Sequence, residues 1–298
     1  QMPTQGWDAV TVPGCVSAWV ALSERFGRLP FEALFQPAIR YAREGWLVPP
    51  VVAASWARAV AVYQDQPDWG AAFLRDGRPP APGEVFGFED QARTLEVIAA
   101  TRGEAFYRGE LAAAIAAHAA DQGGAMTADD LAAHEPEWVT PLELDYNGQS
   151  LHEIPPNGQG ITAQISLGIL RQFDLTSLEP DSVESLHLQI EAMKLAYADA
   201  QRYVSDPATR DLDPQRLLDD DYLRQRAALI DPSRAQAHTH GTPGQGETVY
   251  LTTADAEGCM VSFIQSNFSS FGSGVVVPGT GISLQNRGSG FSLEPGHP

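Results

Sequence analysis

The sequence predicts an α+β fold in which helices and short antiparallel sheets form separate layers. Three features support this prediction. Helical periodicity dominates the first half of the 298 residues, two hairpin patterns follow, and further helices separate the hairpins. A doubly wound sheet would instead alternate strands and helices regularly along the chain. The order helices, hairpin, helices, hairpin therefore favours a layered α+β or αββα domain.

Helical patterns follow one another through the first half of the chain. One lies between Pro13 and Gly27, with the glycine at the expected C-terminal cap. Its predicted apolar stripe consists of Val16, Trp19, Val20 and Phe26. The next pattern, 31–44, contains Pro37 and is expected to kink or split there, because proline lacks a backbone donor. Further helices are predicted at 55–63, at 90–100 and at 111–120.

The middle of the chain predicts a hairpin between helices. Thr127 is the expected N-cap of a short helix. Residues 140–146 then alternate apolar and polar side chains, Asn147-Gly148 is typical of a two-residue turn, and 151–154 is the returning strand. A helix near Thr162 is predicted next, and the helix after it is expected to be capped by Asp181. Its predicted core-facing stripe consists of Leu186, Ile190, Met193 and Tyr197.

A segment with few apolar residues, 236–246, precedes a second predicted hairpin. The segment consists mostly of Gly, His, Thr, Pro and Gln, so it is predicted to be a flexible connector or an exposed loop. Residues 248–254 and 259–266 then form two β-patterns joined by a compact turn. The glycines that follow match neither a dinucleotide-binding nor a Walker pattern, and they predict tight turns between short strands.

Charge and cysteine content exclude several function classes. The net charge is −19, from 38 acidic and 19 basic side chains, which argues against a nucleic-acid partner and gives no reason to expect adsorption to anionic lipid. No run of about 18 apolar residues is present, so no membrane-spanning helix is predicted. Cys15 and Cys259 lie far apart, which predicts two buried thiols rather than a disulfide framework.

No metal ion or organic cofactor is predicted. The seven histidines do not follow the spacings of common metal sites. His238 and His240 lie in the segment 236–246 and are expected to be solvated. His187 lies inside a predicted helix and is expected to make a structural hydrogen bond.

Thr248 is the residue on which the chemical prediction depends. It begins the second hairpin, and threonine at the start of a strand is ordinary by itself. A cut between Glu247 and Thr248 would give Thr248 a free α-amine beside its own hydroxyl. Because such an amine has a pKa of about 7.7–8.0, it can act as a general base near neutral pH. One residue would then supply both nucleophile and base.

Short motifs surround this junction and continue through the whole chain. The downstream motifs are Thr248-Val-Tyr-Leu-Thr-Thr-Ala-Asp255, Gly258, Phe271-Gly-Ser-Gly274 and Pro278-Gly-Thr-Gly281-Ile282. The upstream motifs are Val12-Pro13-Gly14, Gln36-Pro37-Ala38, Phe106-Tyr107-Arg108-Gly109, Gly123-Gly124, Asp129-Asp130-Leu131-Ala132, Pro155-Pro156 and Glu191-Ala-Met-Lys-Leu-Ala-Tyr-Ala-Asp199. In content and order, this set resembles the γ-glutamyltransferase family, in its acylase-like branch.

The resemblance implies a four-layer αββα sandwich of the N-terminal-nucleophile (Ntn) hydrolase type and self-cleavage between Glu247 and Thr248. Residues 1–247 would then be a large-subunit-like portion, mainly helical with a hairpin. Residues 248–298 would begin the small-subunit-like portion, and the two would together form one domain. The implied reaction is acyl transfer from an amide to water or to an amine, without a cofactor.

The resemblance also assigns roles to individual residues. Thr248 occupies the family's nucleophile position, and Ser266 on the next strand occupies the position of a supporting hydroxyl. Asn267 is the candidate for a substrate-binding Asn, displaced by one position when Gly258 and Gly272 are aligned without a gap.

Two positions depart from the family pattern. Where relatives carry a Gln and an acidic residue that bind the substrate's α-amino group, this chain has Arg287 and Gly290. A glycine side chain cannot accept a hydrogen bond from an ammonium, and an arginine would repel one. This predicts a glutaryl-like or other carboxyl-bearing acyl group in place of γ-glutamyl. The alternative is that Arg287 forms only a surface salt bridge.

The implied partners are a γ-glutamyl or glutaryl-like amide and the protein's own large and small cleavage fragments, while homodimerisation and cellular localisation stay open. The family's carboxylate-binding Arg and oxyanion-hole glycines are expected outside residues 1–298, so this stretch alone is expected to be inactive. Two other interpretations remain. One is a catalytically silent relative that serves as a binding or scaffolding protein. The other is a serine hydrolase using Ser269 or Ser270, neither of which has an identifiable base nearby.

Overall fold

The computed structural model describes residues 2–209, 212–237 and 249–295. The chain divides into two compact units: Gln1–Pro136 with Gly244–Leu293, and Glu137–Pro243 with Glu294–Pro298. The chain therefore leaves the first unit after its helical half and returns to it before the second hairpin. The division predicted at residue 247 refers to cleavage of the chain and not to packing, and it stays a prediction.

The first unit contains helices and two-stranded antiparallel sheets, with elements numbered along the whole chain. Its helices are α1 (Cys15–Phe26), α2 (Phe31–Glu44), α3 (Pro50–Tyr63), α4 (Pro67–Phe73), α5 (Glu89–Thr101), α6 (Glu104–Arg108), α7 (Glu110–Asp121) and α8 (Ala128–Ala132). Its strands are β1 (Trp46–Leu47), β2 (Val85–Phe86), β5 (Val249–Ala254), β6 (Met260–Gln265), β7 (Val276–Val277) and β8 (Ile282–Ser283). β1 pairs with β2, β5 with β6, and β7 with β8.

The helices of this unit confirm most of the sequence prediction. Thr127 caps α8 in a complete capping box, in which its hydroxyl accepts from the Asp130 amide and the Asp130 carboxylate accepts from the Thr127 amide. One expectation is wrong, because Phe26 is 64% exposed rather than part of the buried stripe. Of the two outcomes expected at Pro37, a kink or a split, the split does not occur, since α2 continues through Pro37. The α2 helix buries Phe31, Phe35 and Ile39, and this packing outweighs the missing backbone bond.

Two apolar clusters form the core of the first unit, and residues 275–277 lie between them. Val275 and Val277 contact the larger cluster, which contains side chains of α1, α2, α5, α6 and α7. Val276 contacts the smaller cluster around Trp56 and Trp69. Because successive side chains of a strand point to opposite faces, this short stretch is covered on both sides. It is the most deeply buried β-structure in the described part of the chain.

The second unit contains a hairpin and helices. Its elements are β3 (Leu142–Tyr146), β4 (Gln149–Glu153), α9 (Ile161–Leu170), α10 (Val183–Tyr203) and α11 (Asp220–Ala227). The hairpin pairs Tyr146 with Gln149 across Asn147 and Gly148, both of which have positive φ angles, as the sequence predicted.

The α10 helix corrects two sequence expectations. Its N-cap is Ser182, whose hydroxyl accepts from the Ser185 amide, whereas Asp181 adopts a positive φ just before it. Its buried face includes Leu188, Ala192 and Leu195, which join the core of this unit. The predicted stripe is wrong, because Leu186, Ile190 and Met193 are each at least 41% exposed. The face that α9 covers decides burial, and local periodicity did not identify that face.

The predictions for single histidines and cysteines have different outcomes. The Nε2 of His187 lies 2.9 Å from the carbonyl oxygen of Asp231, which confirms a structural role. Cys15 is partly buried, and burial raises the pKa of its thiol. Cys259 is exposed at the end of the β5–β6 turn, so the expectation of a second buried thiol is wrong. His238 and His240 lie outside the described residues.

Candidate active site

Two of the predicted site residues, Ser266 and Asn267, lie at the open end of the β5–β6 hairpin. Thr248 and Glu247 are outside the described residues, and the ladder begins with the next residue, Val249, opposite Gln265. Ser266 and Asn267 directly follow that pair along the chain. The structure therefore describes the neighbourhood of the predicted nucleophile but not the nucleophile itself.

The turn at the other end of the hairpin fixes this register. The Asp255 amide donates to the carbonyl oxygen of Cys259 at 3.0 Å. The Asp255 carboxylate accepts from the Glu257 amide at 3.0 Å and from the Cys259 amide at 2.9 Å. Such side-chain-to-backbone bonds are typical of Asx turns. Because a slip of one residue would reverse every side chain of a strand, this turn determines which residues meet at the open end.

The chain after Ser266 forms a turn that is fastened to the segment following β8. The Ser266 hydroxyl accepts from the Phe268 amide at 2.8 Å. The Ser269 amide donates to the Asn286 side-chain oxygen at 3.1 Å, and the Asn286 amide donates to the Asn267 carbonyl oxygen at 3.2 Å. Asn286 is itself only 2% exposed. One buried residue, through its backbone amide and its side chain, therefore holds the segment that carries Ser266 and Asn267.

The same turn is also anchored to the core. The Tyr63 hydroxyl lies 3.0 Å from the Gly272 carbonyl oxygen and 3.3 Å from that of Ser269. The Phe271 ring packs among the rings of Trp56, Tyr63, Trp69 and Phe73. These contacts give the turn the rigid support that a binding site needs.

Arg287, the residue at a position that departs from the family pattern, lies next to Ser266. A terminal nitrogen of its guanidinium is 3.5 Å from the Ser266 carbonyl oxygen, and the group lies 5.7 Å from the centre of the Phe268 ring. Although Arg287 is an exposed residue, partial burial of its guanidinium lowers the pKa of that group. Among the described residues, no carboxylate forms a salt bridge with Arg287, so the alternative of a surface ion pair finds no partner there.

The sequence did not identify Phe268 as part of this site. Its backbone has a φ of 75°, and that of Ser270 has a φ of 48°. A bulky residue in this region is a conformational outlier, and such outliers cluster at functional sites. No local sequence signal marks it, because phenylalanine does not favour positive φ. Gly290, the other departure from the family pattern, is exposed with no heavy atom within 4 Å of its potential Cβ position.

The described ranges contain neither a cluster of metal-ligand side chains nor a membrane-spanning helix. Across them, no group of three or more His, Cys, Asp or Glu side chains is arranged to hold a metal ion. No helix within residues 2–209, 212–237 or 249–295 combines the length and apolar character needed to cross a bilayer.

Comparison with known proteins identifies the family. The family model for γ-glutamyltranspeptidase matches residues 1–298. This chain belongs to the γ-glutamyltranspeptidase family. Among curated relatives, it is 39% identical over 297 residues to the glutathione hydrolase-like YwrD proenzyme of Bacillus subtilis, covering 99% of this chain and 56% of the relative. It is 37% identical over 294 residues to the oxamate amidohydrolase proenzyme of Klebsiella pneumoniae, covering 97% and 55%.

Solved structures agree with this assignment. A cephalosporin acylase from Bacillus halodurans matches with a TM-score of 0.93 and 46% identity, covering 100% of this chain and 55% of that one. The γ-glutamyltranspeptidase of Helicobacter pylori matches with a TM-score of 0.74 and 25% identity, covering 79% and 68%. The predicted fold class, an α+β αββα sandwich of the Ntn-hydrolase type represented by a partial chain, is confirmed. The chain spans about half the length of the curated relatives it matches.

Proposed function

We propose that the whole protein is a self-processing amide hydrolase or acyltransferase in which Thr248, freed by cleavage after Glu247, is the nucleophile. The observation that carries the proposal is the register of the β5–β6 ladder. Its first described pair is Val249 with Gln265, so a ladder continued by one pair on the same register would join Thr248 to Ser266. The division into a 1–247 portion and a 248–298 portion is part of this proposal.

In the proposed reaction, the Thr248 hydroxyl oxygen attacks the carbonyl carbon of the substrate amide. The α-amine of Thr248 takes the hydroxyl proton and passes it to the leaving nitrogen, so that the C–N bond breaks and an ester forms on Thr248. Water or an amine then attacks the ester and restores the free hydroxyl. The role proposed for Ser266 is to orient the nucleophile, and its anchored turn supports that role.

The proposed acyl group carries a carboxylate rather than requiring a γ-glutamyl ammonium. The support is the Arg287 guanidinium, which lies beside Ser266 and forms no salt bridge with the described carboxylates. A guanidinium binds a carboxylate through two parallel hydrogen bonds and repels an ammonium. The Klebsiella relative is named for oxamate, an amide that has a carboxylate and no ammonium group. The role proposed for Asn267 is to bind the substrate's polar groups, since its backbone is held by Asn286.

The test compares two anilides on the full-length protein. We expect glutaryl-p-nitroanilide to have a higher kcat/KM than γ-glutamyl-p-nitroanilide. We expect Arg287→Ala to lower kcat/KM for the glutaryl compound by about 10- to 100-fold, because hydrogen bonds to charged groups contribute about 1.5–3 kcal/mol. Valeryl-p-nitroanilide, with the same five-carbon chain and no carboxylate, is the matched substrate and should respond little. A strong preference for the γ-glutamyl compound would contradict the proposed acyl group.

A further inference from the structure

Phe268, a described residue of this site, has a backbone conformation that is unfavourable for a large side chain. Its φ of 75° is in the left-handed region that large side chains avoid. The hydrogen bonds on both sides of it, from its own amide to the Ser266 hydroxyl and from the Ser269 amide to Asn286, force the backbone into this region. Residues that their surroundings hold in a strained conformation cluster at functional sites, so the side chain of Phe268 is a candidate for a functional role.

Core packing does not account for the conformation of Phe268. Phe271, three residues later in the same turn, packs against the cluster of Trp56, Trp69 and Phe73. Phe268 belongs to none of the three apolar clusters formed by the described residues, and it is only partly buried. The strained aromatic residue is therefore not the one that stabilises the core.

The ring of Phe268 instead faces a cation. The Arg287 guanidinium lies 5.7 Å from the ring centre, within the range of a cation–π interaction. Its other described polar contact is the Ser266 carbonyl oxygen at 3.5 Å, which is a long hydrogen bond. An arginine side chain has many rotamers, and an aromatic surface restricts them without using its donors. Phe268 thus leaves the guanidinium N–H groups available for an anion.

We propose that Phe268 is a positioning residue that determines acyl specificity, because its ring orients Arg287 to bind the carboxylate of the acyl group. This inference rests on the function proposed above, and adds that the strained turn is the device that makes Arg287 selective. The acyl groups recognised would be those of dicarboxylic acid monoamides, with glutaryl as the probe.

The experiment measures KM and kcat of the full-length protein with glutaryl- and valeryl-p-nitroanilide. In Phe268→Leu, KM for the glutaryl compound should rise by about 2- to 5-fold, equivalent to the roughly 0.5–1 kcal/mol of an exposed cation–π contact. The valeryl compound should show no such rise. Phe268→Trp should restore the wild-type ratio of the two KM values, because tryptophan offers a better cation–π surface. A purely structural role would change both substrates alike.

A second variant separates positioning from folding. Phe268→Gly removes the strain, because glycine adopts positive φ readily, so the melting temperature should be no lower than that of the wild type. Its preference for the glutaryl compound should nevertheless fall as in Phe268→Leu. Phe291→Leu is the matched control, since Phe291 is a 64% exposed aromatic just after the Arg287–Gly290 turn, and it should behave like the wild type.

The outcomes distinguish this inference from the function on which it rests. In one outcome, the wild type prefers glutaryl- to valeryl-p-nitroanilide, and the Phe268→Leu and Phe268→Gly variants keep the wild-type ratio of the two KM values. This outcome would overturn the role of Phe268 and leave the proposed function intact. In another outcome, the wild type hydrolyses glutaryl- and valeryl-p-nitroanilide equally well, or hydrolyses neither. This outcome would overturn the proposed function and the inference with it. Glutarate binding gives a readout without turnover: it should raise the melting temperature of the wild type more than that of Phe268→Leu.

Discussion

The glycine-rich segment, residues 271–286, and the β5–β6 hairpin are neighbours in sequence and belong to the same unit, yet they are supported in opposite ways. In the glycine-rich segment, Val275, Val276, Val277 and Leu284 are at most 2% exposed. In the hairpin, Val249, Tyr250, Leu251, Met260, Val261 and Ile264 are each at least 45% exposed. Both regions are apolar, so the difference in exposure follows from their tertiary contacts rather than from their composition.

The two regions are also tied to the helices differently. The hairpin's ties include a hydrogen bond of 3.1 Å from the Trp19 indole to Gln265 and a surface ion pair of 3.3 Å between Arg28 and Glu257. The glycine-rich segment is held by buried bonds such as that from the Ser273 hydroxyl to the Leu284 carbonyl oxygen. The turn bearing Ser266 and Asn267 therefore takes its rigidity from the glycine-rich segment rather than from the hairpin.

Truncating a leucine in each region tests this contrast with the largest expected effect. In the polypeptide of residues 1–298, Leu284→Ala should lower the free energy of unfolding by about 2–5 kcal/mol, because it opens a cavity in the larger cluster. Leu251→Ala, at a 45% exposed position, should cost less than about 1 kcal/mol. Urea unfolding measures both. Equal losses of the free energy of unfolding would contradict the contrast between the two regions. A larger loss for Leu251→Ala in the full-length protein would show that other residues cover the hairpin there.

Two glycines with similar backbone angles provide the next test. Gly272 has a φ of 72° and Gly258 has a φ of 85°, so an alanine at either position costs about 1–2 kcal/mol from its conformation alone. At Gly272 the added Cβ would also collide with the Leu284 carbonyl oxygen, whereas at Gly258 it would meet nothing within 4 Å. Thermal unfolding should therefore show a clearly larger loss for Gly272→Ala. Similar melting temperatures would mean that the glycine-rich segment yields as easily as the hairpin turn.

A buried amide and an exposed one give the smallest of the three contrasts. Asn286→Ala removes the acceptor of the Ser269 amide and the donor to the Thr4 carbonyl oxygen, and should cost about 1–3 kcal/mol. Gln265→Ala removes only the exposed bond to Trp19 and should be nearly neutral. Hydrogen exchange at the Ser269 amide should accelerate in the first variant and not in the second. Unchanged exchange in Asn286→Ala would show that Asn286 does not hold the turn.

The sequence predicted those features whose causes are local. The β3–β4 hairpin followed from its Asn147-Gly148 turn, and the α8 start from Thr127 and Asp130, because each signal lies within a few residues. Which face of α10 is buried depends on α9, a partner that periodicity cannot locate. The exposure of the predicted stripe at Leu186 and Ile190 is the consequence.

The same distinction applies to the candidate site. Ser266, Asn267 and Arg287 were identified from motifs, and the structure brings Arg287 to Ser266 across 21 residues. Phe268 could not be found in this way, because its positive φ is imposed by Asn286 and by the Ser266 hydroxyl rather than by its own preference. Thr248 stays a prediction from sequence, since it lies outside the described residues.

The intact mass of the purified full-length protein shows most directly whether the protein cuts itself before Thr248. We expect two fragments, the smaller beginning with Thr248 and carrying a free α-amine. Thr248→Ala should remain one chain, and Thr248→Ser, which keeps a hydroxyl nucleophile, should still be cut at the same bond. A wild-type protein that stays intact would contradict the account and favour the catalytically silent alternative. Cleavage of Thr248→Ala between residues 247 and 248 would equally contradict it, because the nucleophile would then lie elsewhere.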